Sequence, residues 1–239
     1  MIYIKKKNNK WKEIWDRNGR LANCQNLKDL ITLNGHQSPT SDVKVKDWIK
    51  YTNYFIKRFN IKKKDNILEI GCGAGAFLLP FFKKKINCFG IDFSKELIKH
   101  SKKNLKSSNF YVGEATNLKR LKQRDYSYIF ANSLFQYFPT EGYAKRVLNE
   151  IFSLANDKTK IFLLDIPDKK KYKNWEMSVI RNIGKKNFSQ KYKKAKHRFY
   201  EKNFFLQYCK SKGYKIKITA QNLIKKENSK FRYNIILTK

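Results

Sequence analysis

Apolar and polar positions divide the chain into stretches of different rhythm. Up to residue 63 the spacing is helical. The segments "WKEIWDRNG" (11–19) and "DVKVKDWIKYTNYFIKRFN" (42–60) place aromatic and aliphatic residues three and four apart, which puts them on one face of a helix. The turn-rich "LNGHQSPTSD" (33–42) separates the two, and Asp42 is placed to cap the second. From residue 66 short β-rich runs alternate with helical ones. "NILEIG" (66–71), "NCFGID" (87–92), "NFYVGE" (109–114), "YSYIFAN" (126–132) and "KIFLLDI" (160–166) read as strands. Residues 75–84, 94–106, 140–155 and 201–212 read as helices. Such alternation predicts parallel pairing in a sheet covered on its faces. The chain closes on "GYKIKITAQNLI" (213–224) and "FRYNIILTK" (231–239) with no helix between them. That is an antiparallel pair.

The first strand of the alternation runs into Gly71, Gly73 and Gly75, a sharp turn beside a ligand. Gly71-x-Gly73-x-x-Ala76 fits a dinucleotide loop, where alanine is tolerated at the last position, and equally the loop of an S-adenosylmethionine (SAM) enzyme. The surrounding acids bear on the choice. Glu69 precedes the first glycine by two residues, where it would repel a pyrophosphate but suit the cationic methionine part of SAM. Asp92 follows Gly71 by 21 positions and suits ribose hydroxyls in either case. Glu114 in "VGEATNL" ends the third strand, where it can accept a hydrogen bond from an adenine amino group. Any one acid could instead cap the helix after it. Three at the ends of consecutive strands argue for a nucleotide site.

Together "ILEIGCGAGAF" (67–77), "GIDFSKELI" (90–98), "VGEATNL" (112–118) and "YIFANSLFQYF" (128–138) resemble successive motifs of class I SAM-dependent methyltransferases. The resemblance spans residues 64–168, and the closing strand pair agrees with the family's last two. It implies an α/β, Rossmann-like seven-stranded sheet with the terminal strand inserted antiparallel. It implies a helical extension over 1–63, a methyltransferase domain over 64–239 and an acceptor-side lid inserted at 168–200. SAM contacts are implied for Glu69, for Gly71, Cys72, Gly73 and Gly75, for Asp92 and Phe93, for Glu114 and Ala115 at the adenine, and for Asn132 and Ser133 beside the methionine. The N-terminal pattern and the closing "KFRYNIIL" are similar, more loosely, to methyltransferases of bacterial surface-polysaccharide (capsule) biosynthesis. That likeness implies a glycan precursor, a nucleotide-linked sugar or a phosphoramidate as acceptor.

Methyl transfer from a sulfonium is an in-line displacement, so alignment in a dry pocket matters most. A base is needed only when the nucleophile arrives protonated. After the fourth strand stands Asn132-Ser133-Leu134-Phe135 rather than the Asn/Asp-Pro-Pro-Tyr that family members acting on exocyclic or amide nitrogens use, and no Pro-Cys pair is present. Oxygen on a small polar acceptor is favoured, with nitrogen left open. Segment 169–200 interleaves Tyr, Trp and His with Lys and Arg, which suits an anionic or sugar-bearing acceptor and also RNA stacking. His197 and Tyr200 within it, and His36 in "LNGHQ", are the candidate bases. Tyr137, Arg198 and Arg232 are the candidate acceptor contacts.

Charge complicates this reading. The 54 basic and 19 acidic residues leave a formal charge of +35, which points toward nucleic acid. Yet 45 of the basic residues are lysine and 9 arginine, a bias that an AT-rich genome also produces. Residues 169–239 hold 22 basic and 3 acidic side chains, so the acids gather in the middle, around the glycine turn. Nucleic acid stays open as a partner and is not favoured over a small molecule. An RNA methyltransferase and a non-catalytic nucleic-acid binder are the alternatives, and the acids at 69, 92 and 114 speak against the second. No apolar run approaches the ~20 residues of a bilayer span, and "MIYIKKKNNKW" has no apolar h-region. A cytoplasmic location is the expectation. Cysteines 24, 72, 88 and 209 form no CxxC pair, so neither a disulfide framework nor a metal site is expected.

Overall fold

The helical spacing of the N-terminal quarter forms α1 (Lys10–Leu21), α2 (Leu27–Ile31) and α3 (Val45–Arg58). The structure is a computed structural model that describes residues 10–38, 41–107, 109–121, 125–224 and 226–239. A capping box starts α2: the Asn26 side chain accepts from the Asp29 amide and Asp29 returns the bond. The chain then makes a wide helical turn over Thr32–His36, broken at Gly35 (φ 78°), and a short hairpin of β1 (Gln37–Ser38) and β2 (Ser41–Asp42). Asp42 does not cap α3. Its backbone pairs with Gln37, and the cap position falls to Lys44, which offers no side-chain bond.

Seven strands follow: β3 (Asn66–Ile70), β4 (Asn87–Asp92), β5 (Phe110–Val112), β6 (Tyr128–Asn132), β7 (Lys160–Pro167), β8 (Lys215–Ala220) and β9 (Arg232–Thr238). They form one sheet in the order β5-β4-β3-β6-β7-β9-β8. The first five are mutually parallel, and β9 lies antiparallel between β7 and β8. This is the α/β, Rossmann-like sheet with an inserted antiparallel last strand that the motifs imply. The helices among the strands are α4 (Leu79–Phe82), α5 (Lys95–Leu105), α6 (Glu141–Leu154), α7 (Tyr172–Ile183), α8 (Lys185–Lys194) and α9 (Lys202–Lys210).

Strand β6 shows how both faces are buried. Phe130 stacks on Phe162 of β7 at 4.6 Å and meets Phe55 of α3 edge-on. Its neighbours Ile129 and Ala131 face the opposite layer, with Val147 of α6 and Phe205 of α9. Alternating side chains of a parallel strand thus feed two apolar layers. On one side α3 shares the core with α4 and α5, so the N-terminal quarter supplies a layer of the fold.

Two elements are shorter than their patterns suggest. β5 ends at Val112 and leaves Glu114 in the following loop, because the Gly113 amide already turns back to Asp92 O at 2.9 Å. The helix expected over 75–84 is confined to Leu79–Phe82, since left-handed glycines hold the chain in a turn until then. The segment 168–200 contains α7 and α8, broken at Gly184 (φ 80°) and packed through Trp175, Val179, Phe188 and Tyr192. Among the described residues no helix is long and apolar enough to cross a membrane.

Helix α1 lies against α5 over the carboxyl edge of the sheet. Lys12 Nζ donates to Phe93 O (2.8 Å), Ser94 Oγ donates to Asp16 Oδ1 (2.6 Å), and His100 Nε2 bonds Gly19 O (2.9 Å). Close approach requires Gly19: a Cβ there would stand 2.7 Å from Glu96 Cβ. Gly19→Val should lift α1 while sparing the sheet. Limited proteolysis is expected to release the N-terminal segment faster, with a global loss of no more than ~1 kcal/mol. Collapse of the whole cooperative transition would instead make α1 integral to the fold.

Candidate active site

Between β3 and α4 the backbone is left-handed at Gly71 (φ 73°) and Gly73 (φ 53°), which glycine adopts at no steric cost. Side chains are excluded there too. A Cβ on Gly71 would stand 2.6 Å from Leu134, and one on Gly73 2.6 Å from Asn34 Oδ1. Asn34, from "LNGH", clamps the turn. Its Oδ1 accepts from the Ala74 amide (2.7 Å) and its Nδ2 donates to Cys72 O (3.3 Å). The Gly71 and Cys72 amides both donate to Ile91 O, fixing the turn to β4.

Two adjoining cavities open at this turn and share Gly71, Asp92, Phe93, Leu134 and Tyr137. Glu114, Ala115 and Tyr143 wall the first, and Asn34, His36, Glu69, Asn132 and Ser133 wall the second. Helix α1 reaches both, with Trp11 at the first and Trp15 at the second. Both indoles meet the Tyr137 ring, at 4.8 and 5.8 Å. From the first cavity a wider groove runs along segment 168–200, past Lys10, Lys169, Lys170, Lys173, Lys196 and Arg198.

Buried acids dominate the floor. Asp92 Oδ2 accepts from the Gly73 amide (2.9 Å) and Oδ1 from the Ser94 amide (2.8 Å). Burial raises its pKa, the two amides oppose, and the balance stands at about 6. Glu69 is 2% exposed. Burial, then repulsion from Asp92, lifts its pKa well above the usual carboxyl range. Its Oε2 meets no hydrogen-bond partner among the described residues. His36 packs on Trp48 at 4.5 Å, and burial with the nearby Lys226 cation lowers its pKa to about 3. Its imidazole is neutral.

Behind the second cavity lies an ionic cluster. Strand β7 shifts register between Leu163 and Ile166, and in that irregularity Asp165 takes φ 61°. Ser133, at the end of β6, takes φ 53°. Such residues cost of order 1–3 kcal/mol each and persist where their surroundings over-determine them. Here the determinants are polar. Asp165 Oδ2 accepts from Ser133 Oγ (2.5 Å), Lys226 Nζ (2.6 Å) and Arg232 Nη1 (3.1 Å). Arg232 Nη1 also donates to Gln136 Oε1 (2.5 Å) and to Asp165 O (2.8 Å). Burial would raise the Asp165 pKa, but Arg232 and Lys226 overcome it and hold the carboxyl well below its ordinary value.

The cavities gather His36, Glu69, Gly71, Gly73, Asp92, Phe93, Glu114, Ala115, Asn132, Ser133 and Tyr137. Other candidates sit elsewhere. Cys72 contributes backbone to the turn, while its thiol is buried against Gly90. Gly75 faces Leu105 and Ser101 of α5, a packing role. Tyr200 is no base: it is buried in the core, its hydroxyl donates to Phe135 O (3.0 Å), and burial drives its pKa far up. His197 stacks on Trp11 at 5.2 Å, at the groove rather than in the second cavity. Arg198 is engaged by the carbonyls of Phe138 (3.1 Å) and Pro139. Arg232 opens β9, with its side chain buried in the ionic cluster and lining neither cavity. Asn34, Trp11, Trp15, Asp165 and Lys226 escaped the sequence reading. Asn34 stood beside the flagged His36, whereas Asp165 and Lys226 meet across 61 positions and leave no local trace.

Residues 42–215 match the family described as a methyltransferase domain. A malonyl-[acyl-carrier protein] O-methyltransferase of Ilyobacter polytropus is 33% identical over 107 residues, 42% of this chain and 37% of that protein. Enniatin synthase of Fusarium equiseti is 31% identical over 108 residues, again 42% of this chain but 3% of that protein. The chain thus spans well under half the length of the curated relatives it matches. Among solved structures, a TehB-like SAM-dependent methyltransferase from Corynebacterium glutamicum superposes with a TM-score of 0.60 at 13% identity. It covers 97% of this chain and 100% of its own. That likeness shows the fold.

Asp165→Asn should leave Lys226 and Arg232 buried without a counter-charge, costing ~3–5 kcal/mol in urea denaturation. The folded pKa of Asp165 is depressed, so its contribution is complete above the unfolded value near ~3.9 and fades only as pH falls through the folded one. The mutant deficit should therefore be undiminished at pH 5. Tyr200→Phe, by contrast, should cost about 1 kcal/mol and leave ligand affinity in both cavities unchanged. A binding defect in that variant would return Tyr200 to the site.

Proposed function

The chain belongs to the methyltransferase-domain family, and from that premise we propose that it is a SAM-dependent methyltransferase acting on an oxygen of a small acceptor. Glu69 carries the reading. A buried carboxyl with one unpartnered oxygen, beside a glycine turn and a second buried acid, calls for a ligand bringing positive charge and hydroxyl donors. SAM brings both, whereas a dinucleotide would add a pyrophosphate's negative charge to the same place. When bound, SAM supplies an electrophilic methyl group on a sulfonium sulfur.

The chain's residues divide the remaining work. Asp92 receives the ribose hydroxyls, Glu69 the cationic end, and Glu114 with Ala115 the adenine. Glu114 Oε2 is steadied by the Tyr143 hydroxyl (3.1 Å). Trp11 and Trp15 exclude water above them. Asn132, held by the Tyr51 hydroxyl (3.0 Å), and Ser133 flank the reacting end. His36 can accept a hydrogen bond, but with a pKa of about 3 it is too weak to remove a proton at neutral pH. An acceptor oxygen that arrives already ionised fits that wall best.

The Ilyobacter relative is named for O-methylation of a malonyl group on a carrier protein, and oxygen is the atom type proposed here. A carboxylate meets the requirement. The acceptors suggested by the polysaccharide resemblance, a glycan precursor, a nucleotide-linked sugar or a phosphoramidate, meet it where they present an anionic oxygen. Cations along the groove favour the approach of any of them. An RNA acceptor is the second reading, supported by the same six side chains, and it requires salt-sensitive RNA binding.

Calorimetry tests the reading. S-adenosylhomocysteine (SAH) should bind, and Asp92→Asn should weaken it by roughly 1.5–3 kcal/mol through lost charge-assisted hydrogen bonds. The ligand needs Asp92 ionised and the free carboxyl titrates at about 6. Affinity should therefore rise with pH through that value, by about tenfold between pH 5 and 7. Tight NADH binding without SAH binding would end the proposal. A flat pH profile would remove Asp92 from its role.

A further inference from the structure

Charge does not balance behind the second cavity. The Lys226 and Arg232 side chains are each 6% exposed, and both contact the same carboxylate, Asp165 at 2%. His36 beside them is neutral, and Glu69 is pushed toward its protonated form. The cluster holds two cations against one anion, in surroundings that penalise uncompensated charge. Burial and the Arg232 charge already lower the Lys226 pKa, and Asp165 opposes them.

Donors are left over as well. Arg232 makes its hydrogen bonds through Nη1, and its Nε and Nη2 have no partner among the described residues. A guanidinium with a free edge can take two oxygens of a carboxylate or phosphate in parallel. The cluster adjoins the reacting end. Ser133, bonded to Asp165, lines the second cavity, and Gln136, bonded to Arg232, precedes Tyr137, which lines both.

We propose that Arg232 and Lys226 form an oxyanion-binding site for the acceptor, taking its carboxylate or phosphate group, with Asp165 positioning both cations. What the site serves rests on the methyl-transfer reading; that it binds an anion does not. The two bound oxygens would neutralise the surplus charge and satisfy the open edge of Arg232. Acceptors without an anionic group would leave both unmet, which gives the site its selectivity.

The test uses the full chain, with and without SAH, titrated with inorganic phosphate and separately with acetate. Sodium chloride at matched ionic strength is the reference, and thermal shift with calorimetry is the readout. A saturable stabilisation beyond chloride is expected. A stronger response to phosphate assigns a phosphate-bearing acceptor, and a stronger response to acetate a carboxylate. Lys226→Met leaves Arg232 and Asp165 as a balanced pair, so it should fold, and it should weaken the anion response roughly tenfold or more. Arg232→Lys keeps the charge but loses the planar edge, and should weaken it similarly. SAH affinity should stay within about twofold of wild type in both variants. No saturable effect beyond chloride, or an undiminished one in Lys226→Met, would overturn the site. An intact anion response in a protein that fails to bind SAH would instead overturn the methyltransferase reading and leave the anion site standing.

Discussion

Parallel strands that end together force the chain to turn at one shared edge, and here four positions at that edge take left-handed backbone. Gly71 and Gly73 follow β3, Ser133 follows β6, and Asp165 interrupts β7 near its end. The first two are glycines because Leu134 and Asn34 occupy the space a Cβ would need. The other two are not, because their side chains are used. Ser133 and Asp165 hydrogen-bond each other, and two cations pin the carboxylate between them. Strain that glycine avoids in one place is held by a polar network in the other. Cavity, roof and ionic cluster all hang on this edge.

The same edge separates charge. Asp92 and Glu114 face the cavities, while the buried side chains of Lys226 and Arg232 stand behind the second. Two unit charges about 4 Å apart interact by about 4 kcal/mol at an effective dielectric constant of 20, and by about 1 in water. Burial therefore makes this polarity matter, and the many surface lysines matter less, being screened within about 8–10 Å at physiological salt. Among the charges behind the second cavity, Asp165 supplies the fixed negative one, and removing it would convert an attractive arrangement into like-charge repulsion.

How legible this was follows from the range of each interaction. Strand–helix alternation, the glycine turn and the acids at its flanks are local, and their positions match. Glu69 and Asp92 stood out because a carboxylate at a strand end is conspicuous within a few residues. Tyr200 and His197 looked like bases because polar aromatics in a basic segment leave orientation open; packing turned one into the core and stacked the other on Trp11. Arg232 is a candidate acceptor contact in the sequence, yet its burial against Asp165, 67 positions away, leaves no local trace. The charge of +35 gave no hint that two of those cations have buried side chains.

Two features that arose independently bear on the same step. His36 is too weakly basic to take a proton, and the other ionisable groups lining the second cavity are Glu69, Asp92 and Tyr137. On the proposed reading the two acids serve the cofactor, and burial raises the Tyr137 pKa, so its hydroxyl stays protonated. An acceptor that still carried its proton would find no group there to remove it. Surplus positive charge nearby answers that lack from the other direction, since a neighbouring cation lowers an acid's pKa and favours its ionised form. Too much of it would hold the oxygen's electron pair and slow attack. On the proposed reading Asp165 would set the amount: by taking up one of two charges it would leave enough to select an anion and less than would quench its nucleophilicity. On that reading the enzyme would need no catalytic base, and its specificity would reside in which acceptors reach the site already charged.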